Sequence, residues 1–162
     1  MQLEFNLTNL GHLLEMTPQS DFLRKMIISL ELPTYNKLSS EVLAISQDLL
    51  GKLNKCQKHA VLQALATQHY LLIKGMPGTG KTETSVSLVE LLVRLGQSVL
   101  VTSHTHSAVD NILRRLPSNI DILRLGSISK VHPDVKQYSE QNLVYSSPEE
   151  LESKLNRKRV SA

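Results

Sequence analysis

Gly75-Met76-Pro77-Gly78-Thr79-Gly80-Lys81-Thr82 decides how this chain is read. The octet fits G-x-x-x-x-G-K-[ST] at every fixed position, a pattern that carries meaning only between a strand and a helix. Tyr70-Leu71-Leu72-Ile73-Lys74 precedes it as a short apolar run, which predicts a buried strand. From Gly80 onward, Leu88, Leu91, Leu92 and Leu95 recur at i, i+3, i+4, i+7, which predicts a long helix with one buried face, stopped at Gly96. Each residue type in the octet has a chemical reason. Gly78 and Gly80 permit a backbone tight enough to aim its N–H groups at phosphates, and the helix start adds the positive end of its dipole. Lys81 is placed to reach the β- and γ-phosphates of a nucleotide, and Thr82 offers a hydroxyl to the Mg²⁺ that bridges them. The candidate nucleotide site is therefore Gly75, Pro77, Gly78, Thr79, Gly80, Lys81 and Thr82, with Lys81 and Thr82 in the catalytic role and Thr82 as the Mg²⁺ ligand. Glu83 is expected to point to solvent.

Downstream of the loop, strand and helix patterns alternate. Ser98-Val99-Leu100-Val101-Thr102 predicts a strand. A helix from about Thr105 buries Val109, Ile112, Leu113 and Leu116, and Pro117 lies just past its end. Ile120 to Leu125 is a weaker third strand, and Pro148 to Leu155 a further helix. Upstream, Asn54-Lys55-Cys56-Gln57 opens a helix that buries Val61, Leu62 and Leu65. Before residue 52 everything reads helical. Thr17-Pro18 is an N-cap and first helical position, and Leu23, Met26, Ile27 and Leu30 share one face of a helix that runs to Glu31-Leu32-Pro33. A second helix after Ser40 turns Val42, Ile45 and Leu49 inward and stops at Gly51. The class is α/β, with parallel strands and right-handed crossovers after a helical segment.

Composition narrows the rest. The 162 residues carry 18 Lys and Arg against 15 Asp and Glu, a formal charge of +3 that permits an anionic partner without demanding one. A single cysteine, Cys56, excludes an internal disulfide and any multi-cysteine zinc or iron–sulfur site within this chain. No apolar run approaches the ~20 residues that span a bilayer, so no membrane partner is expected, and the N-terminus has no signal-peptide pattern. Asn156-Arg157-Lys158-Arg159 makes the end basic, either as a nuclear address or as a solvated terminus. Metal binding by His104 and His106 with Cys56 and His59 is a weak alternative, since the spacing is loose.

Three segments together carry a resemblance: Leu53-Asn54-Lys55-Cys56-Gln57, then Gly75 to Thr82, then Thr102-Ser103-His104-Thr105-His106-Ser107-Ala108-Val109-Asp110-Asn111-Ile112-Leu113. The chain resembles the first motor domain of superfamily 1 helicases that move 5′ to 3′ on a single strand. The GMPGTGKT loop, the THSAVDNIL run, and Leu123-Arg124-Leu125-Gly126 followed by Lys130-Val131-His132-Pro133 narrow it to the eukaryotic DNA replication ATP-dependent helicase/nuclease family. The likeness covers about residues 20 to 140. It implies a P-loop NTPase with a partial RecA-like domain over 53–140; the helical segment over 1–52 precedes it, and past about residue 141 the likeness decays into a poorly assigned basic tail over 141–162. It further implies ATP with Mg²⁺, single-stranded DNA as partner with RNA left open, and a nuclear location. Gln57 would recognise the adenine, because an amide both donates to and accepts from one base edge. Asn54-x-x-Gln57 is equally a capping box, and the two roles are compatible. Thr102, Ser103, Thr105 and His106 would contact the single strand, where the residues alone suggest an ordinary N-cap in a hydroxyl-rich loop.

The departures from that family are also specific. No second carboxylate follows an apolar strand: Glu90 and Asp110 fall inside expected helices, and Asp121, Asp134 and Glu149-Glu150 lack the apolar lead. The second motor domain and the nuclease domain have no counterpart here, so the chain is expected to be a fragment without independent turnover. A small P-loop phosphotransferase and a non-catalytic nucleotide- or DNA-binding module are the competing readings. Oligomeric state is not legible.

Overall fold

The computed structural model describes residues 2–139 and 160–161 of the chain. They form two compact units, one made of residues up to Lys37 together with Ala66–Leu72, the other of Leu38–Leu65 and Ile73 onward.

The first unit holds α1 (Gln2–His12) and α2 (Pro18–Ile27). Thr17 caps α2, its hydroxyl accepting from the Ser20 N–H at 3.1 Å, with Pro18 in the first turn as expected. The corner between the helices is polar. The buried Ser20 hydroxyl donates to the His12 carbonyl at 2.8 Å, and Arg24 donates to the carbonyls of Leu13 and Glu15. These bonds tie α2 to carbonyls at and just past the end of α1. The face expected to be buried is open: Leu23, Ile27 and Leu30 are exposed. The helix also ends earlier than Pro33. Ile28 is its C-cap, and Leu30 sits at φ 53°, a left-handed conformation that takes it off the helical stripe. An isolated bridge joins Tyr35 to Thr67, and Phe22 meets His69 edge to face at 5.3 Å.

The second unit is α/β. Its elements are α3 (Ser40–Gly51), α4 (Lys55–Ala66), α5 (Lys81–Arg94), β1 (Val99–Leu100), α6 (His106–Leu113), β2 (Ile122–Leu123) and β3 (Val160–Ser161). Two 3-10 turns, Ile128–Lys130 and Pro133–Tyr138, follow β2. The sheet has the order β1-β3-β2, with both pairings parallel. Val160 pairs with Val99 on one side and with Ile122 on the other. β1 and β2 are thus neighbours in sequence but not in the sheet. Both are shorter than the apolar runs that announced them.

The expected strand over Tyr70–Lys74 is not formed. A strand exists only through its ladder, and no described residue pairs with this segment. Leu72 is 86% exposed, where a strand of a parallel sheet is covered on both faces. The apolar run identified a segment able to pair, not a neighbour to pair with. The helix expected over Pro148–Leu155 lies outside the described residues.

α5 lies between two apolar clusters. Val86 and Val89 pack with Val109, Leu113, Ile122 and Val135, whereas Leu91 packs with Leu49, Leu53 and Val61. Its buried arc is therefore wider than the single stripe of Leu88, Leu91, Leu92 and Leu95. Leu91 is fully buried and the other three only partly so, because a helix covered on two sides buries more than one row. The helix closes as expected at Gly96, with φ 80°, the Gln97 N–H on the Leu92 carbonyl and the Gly96 N–H on the Val93 carbonyl, both 2.9 Å. Arg94 of α5 spans to Asp48 of α3 at 2.8 Å and to Glu90 one turn back at 2.6 Å. Those hydrogen bonds hold the Asp48 carboxyl below its ordinary value and raise Arg94.

Candidate functional site

Two helix beginnings and one loop build the site. At the start of α4, the Asn54 side chain accepts from the Gln57 N–H and the Gln57 side chain accepts from the Asn54 N–H, each at 3.0 Å. That reciprocal pair is the capping box the spacing predicts. The same amide then reaches across to the loop. Its Nε2 donates to the Thr79 carbonyl at 3.2 Å and lies 3.5 Å from the Gly80 carbonyl.

The loop is shaped by its glycines. Gly78 and Gly80 both sit at φ 79°, the left-handed region that favours glycine. Gly80 has a second constraint, since a Cβ there would lie 2.4 Å from Gln57 Nε2. At Gly75 a Cβ would come within 2.8 Å of Lys81 Cγ. Thr79 closes a turn, its N–H and hydroxyl both bonding the Met76 carbonyl, at 3.3 and 2.7 Å. Pro77 falls within this turn, where its missing N–H costs nothing. Lys81 opens α5, and its ammonium folds back to donate to the carbonyls of Gly75 and Met76, both at 3.0 Å. Thr82 follows in the first turn of α5, half-buried. Glu83 is exposed and 3.7 Å from Arg115, so it faces a cation rather than bare solvent.

A cavity of about 760 Å³ opens in front of this arrangement, lined by Asn54, Gln57, Gly75, Thr79, Lys81 and Leu88 among others. Its size is that of a nucleotide-scale ligand site. The structure thus brings Gln57 to the same cavity as the loop, though 18 residues separate it from Gly75 in sequence.

The second segment, Thr102 to His106, is exposed throughout. Thr105 is the N-cap of α6, its hydroxyl accepting from the Ala108 N–H at 3.3 Å, and the Ser103 hydroxyl lies 3.5 Å from the Thr105 N–H. His106 is the first residue of α6, and its Nδ1 lies 2.9 Å from Arg124 Nη2. Among the described residues no three His, Cys, Asp or Glu side chains converge as a metal site, so His104, His106, Cys56 and His59 are not brought together. No described helix is long and apolar enough to cross a membrane.

Beneath that segment lies an ion pair that the sequence reading did not identify. Asp110 and Arg124 are buried and joined at 2.9 Å, with 3% and 4% of the Arg124 and Asp110 side chains exposed. The other Asp110 oxygen accepts from the His132 N–H at 2.9 Å, and the Arg124 N–H bonds the Tyr138 carbonyl at 2.7 Å. Two charges 14 residues apart give no local signal. Both, however, lie in the runs Thr105–Leu113 and Leu123–Gly126 that carry the family resemblance.

Residues 52–161 match the AAA domain family, more than half of the chain. The chain belongs to that family. Among curated relatives, the DNA replication ATP-dependent helicase/nuclease of Xenopus laevis is 46% identical over 147 residues, 87% of this chain and 14% of the relative. Its human counterpart is 46% identical over 143 residues, 85% of this chain and 14% of the relative. That of Saccharomyces cerevisiae is 38% identical over 147 residues, 88% of this chain and 10% of the relative. The chain spans about a seventh or less of the length of these relatives. The match to this AAA domain family supports the expected P-loop NTPase class and the use of ATP.

Proposed function

We propose that this chain is the ATP-binding part of an ATP-dependent 5′-to-3′ DNA helicase of the helicase/nuclease type, acting in DNA replication and repair in the nucleus. In this reading residues 53–140 are the N-terminal part of its first, RecA-like motor domain, behind a helical segment over 1–52. The observation that carries it is the Gly75–Thr82 loop, closed around Lys81 at the start of α5 and opening on the cavity that Gln57 also lines. Support from relatives comes from helicase/nucleases matched over most of this chain.

The residues present fit a magnesium nucleotide. At Gly75 any Cβ would meet the Lys81 side chain, so glycine there lets Lys81 fold back across the loop, where its ammonium is bonded to the Gly75 and Met76 carbonyls, from which phosphate oxygens would draw it by charge. Thr82 would hold the Mg²⁺, which supplies charge neutralisation at the β- and γ-phosphates when bound. Gln57 keeps acceptor capacity beyond the Asn54 N–H, and by giving up its longer contact with the Gly80 carbonyl its amide would also donate to an adenine edge while it caps α4. Thr102, Ser103, Thr105 and His106 offer exposed donors to the backbone of single-stranded DNA, or of RNA, which has similar phosphates.

The test is direct. Purified chain is titrated with a fluorescent ATP analogue in the presence of Mg²⁺, and ATP hydrolysis is measured with and without a single-stranded oligonucleotide. Nucleotide binding that Lys81→Ala abolishes, with little or no turnover, is the expected result. Binding untouched by Lys81→Ala refutes the site, and robust DNA-stimulated turnover refutes the claim that the chain is an incomplete motor.

A further inference from the structure

The guanidinium of Arg124 is buried, and each of its three nitrogens has a partner. Nε donates to Asp110, Nη1 donates to the Leu125 carbonyl, and Nη2 faces His106 Nδ1 at 2.9 Å. A guanidinium has only N–H donors and does not lose its proton in proteins. Nδ1 of His106 must therefore be the acceptor, and the proton of the neutral ring sits on Nε2. Arg124 has no freedom to release this constraint. Asp110 is itself fixed by the His132 N–H, and the Arg124 backbone is fixed by the Tyr138 carbonyl. Nε2 lies on the opposite side of the ring from the Arg124 contact, and His106 is exposed.

We propose that Arg124 is a positioning residue that holds His106 in its Nε2–H tautomer, so that Nε2 donates to a backbone phosphate oxygen of a single-stranded nucleic acid. The proposal rests on the single-strand reading above and adds to it the device that sets the donor. Asp110 and Arg124 thereby couple the interior under β2 and α6 to one exposed hydrogen bond. A neutral imidazole left free would divide between two tautomers, and the Nδ1–H form would turn a lone pair at Nε2 toward the phosphate.

Long-range ¹H–¹⁵N correlation spectra of the histidine-labelled full chain at neutral pH read the tautomer without any ligand. Affinity for a fluorescent oligothymidylate then reads the donor, and a fluorescent ATP analogue serves as control. The wild-type chain is expected to show the Nε2–H pattern at His106. His106→Ala should weaken oligonucleotide binding about fivefold, the loss of one hydrogen bond to a charged group at an exposed site. His106→Gln, whose amide N–H falls near the Nε2 position, should recover most of it, and neither change should move the nucleotide affinity. Arg124→Lys, if folded by circular dichroism, should raise the Nδ1–H fraction of His106; if it does not fold, the wild-type spectrum decides, because locking requires a smaller Nδ1–H fraction at His106 than at the exposed His104, and an equal fraction overturns it. An Nδ1–H pattern in the wild type, or an unchanged pattern in folded Arg124→Lys, overturns the role of Arg124. The Nε2–H pattern with unaltered oligonucleotide affinity in His106→Ala overturns the role of His106. A wild-type chain that binds no oligonucleotide at all overturns the single-strand reading and the donor role with it, while the tautomer is still decided by its own spectrum.

Discussion

The side-chain amide of Gln57 donates to the Thr79 carbonyl at 3.2 Å while it accepts from the Asn54 N–H at 3.0 Å. One side chain therefore caps α4 and ties that helix to the phosphate loop. The two functions separate by mutation. Gln57→Ala removes both, and should cost about 1 kcal/mol as one lost hydrogen bond at the helix start and weaken nucleotide binding. Gln57→Glu keeps the cap acceptor but faces two loop carbonyls with a carboxylate. It should retain most of the thermal stability and still lose nucleotide affinity. Thermal denaturation and titration with a fluorescent ATP analogue, run on both variants, check this. Equal losses of stability would remove the distinction.

Gly78 and Gly80 share a φ of 79° but not their surroundings. Around Gly78 there is open space, so Gly78→Ala should cost only left-handed strain, about 1–2 kcal/mol. Gly80→Ala adds a collision with Gln57, 2.4 Å from the new Cβ, and must break the loop tie to relieve it. Melting temperature should fall further for Gly80→Ala, and nucleotide affinity should fall with it. In the Gln57→Ala background the difference between the two glycine variants should shrink.

Much of the site was legible because its rules are local. The reciprocal spacing of Asn54 and Gln57, the N-caps at Thr17 and Thr105, and the Gly96 stop each depend on a few adjacent residues, and each has the expected hydrogen bonds, while Gly78 and Gly80 of the octet take the left-handed φ their residue type permits. What was not legible is what depends on distant partners. Tyr70–Lys74 has strand composition but no ladder, and β3, the central strand of the sheet, comes from a tail whose residues show no strand pattern. Leu23, Ile27 and Leu30 follow helical spacing yet remain exposed, since periodicity says which residues share a face and not what covers it. Asp110 lies within α6, not at the strand end where a P-loop enzyme places its second acid. Its actual role needs Arg124, which only the fold brings near.

The Asp110–Arg124 pair should be costly to break and cheaper to replace. Asp110→Ala leaves a buried guanidinium without its counter-charge and the His132 N–H without its acceptor, a loss of about 3–5 kcal/mol. Asp110→Leu with Arg124→Met removes both charges and fills similar volume, and should be markedly more stable than either single change. Chemical denaturation of the two single variants and the double variant gives the coupling. Additive losses would show that the pair acts as two separate residues.

Asp48 makes acid stability a test of the α3–α5 contact. Hydrogen bonds from Arg94 hold its carboxyl below the ordinary value of 3.8, so the unfolded chain takes up its proton more readily than the folded one. The stabilisation is therefore complete above about 3.8 and is lost as pH falls through the lowered folded value. Melting temperature of the wild-type chain should drop across that window, and Asp48→Asn should remove this part of the drop. Asp21, lowered by Lys25, should leave a residual slope in the variant. Both partners are exposed, so added salt should narrow the gap between wild type and Asp48→Asn at neutral pH. An Asp48→Asn profile that parallels the wild type at every acidic pH would mean that the pair contributes nothing to folding.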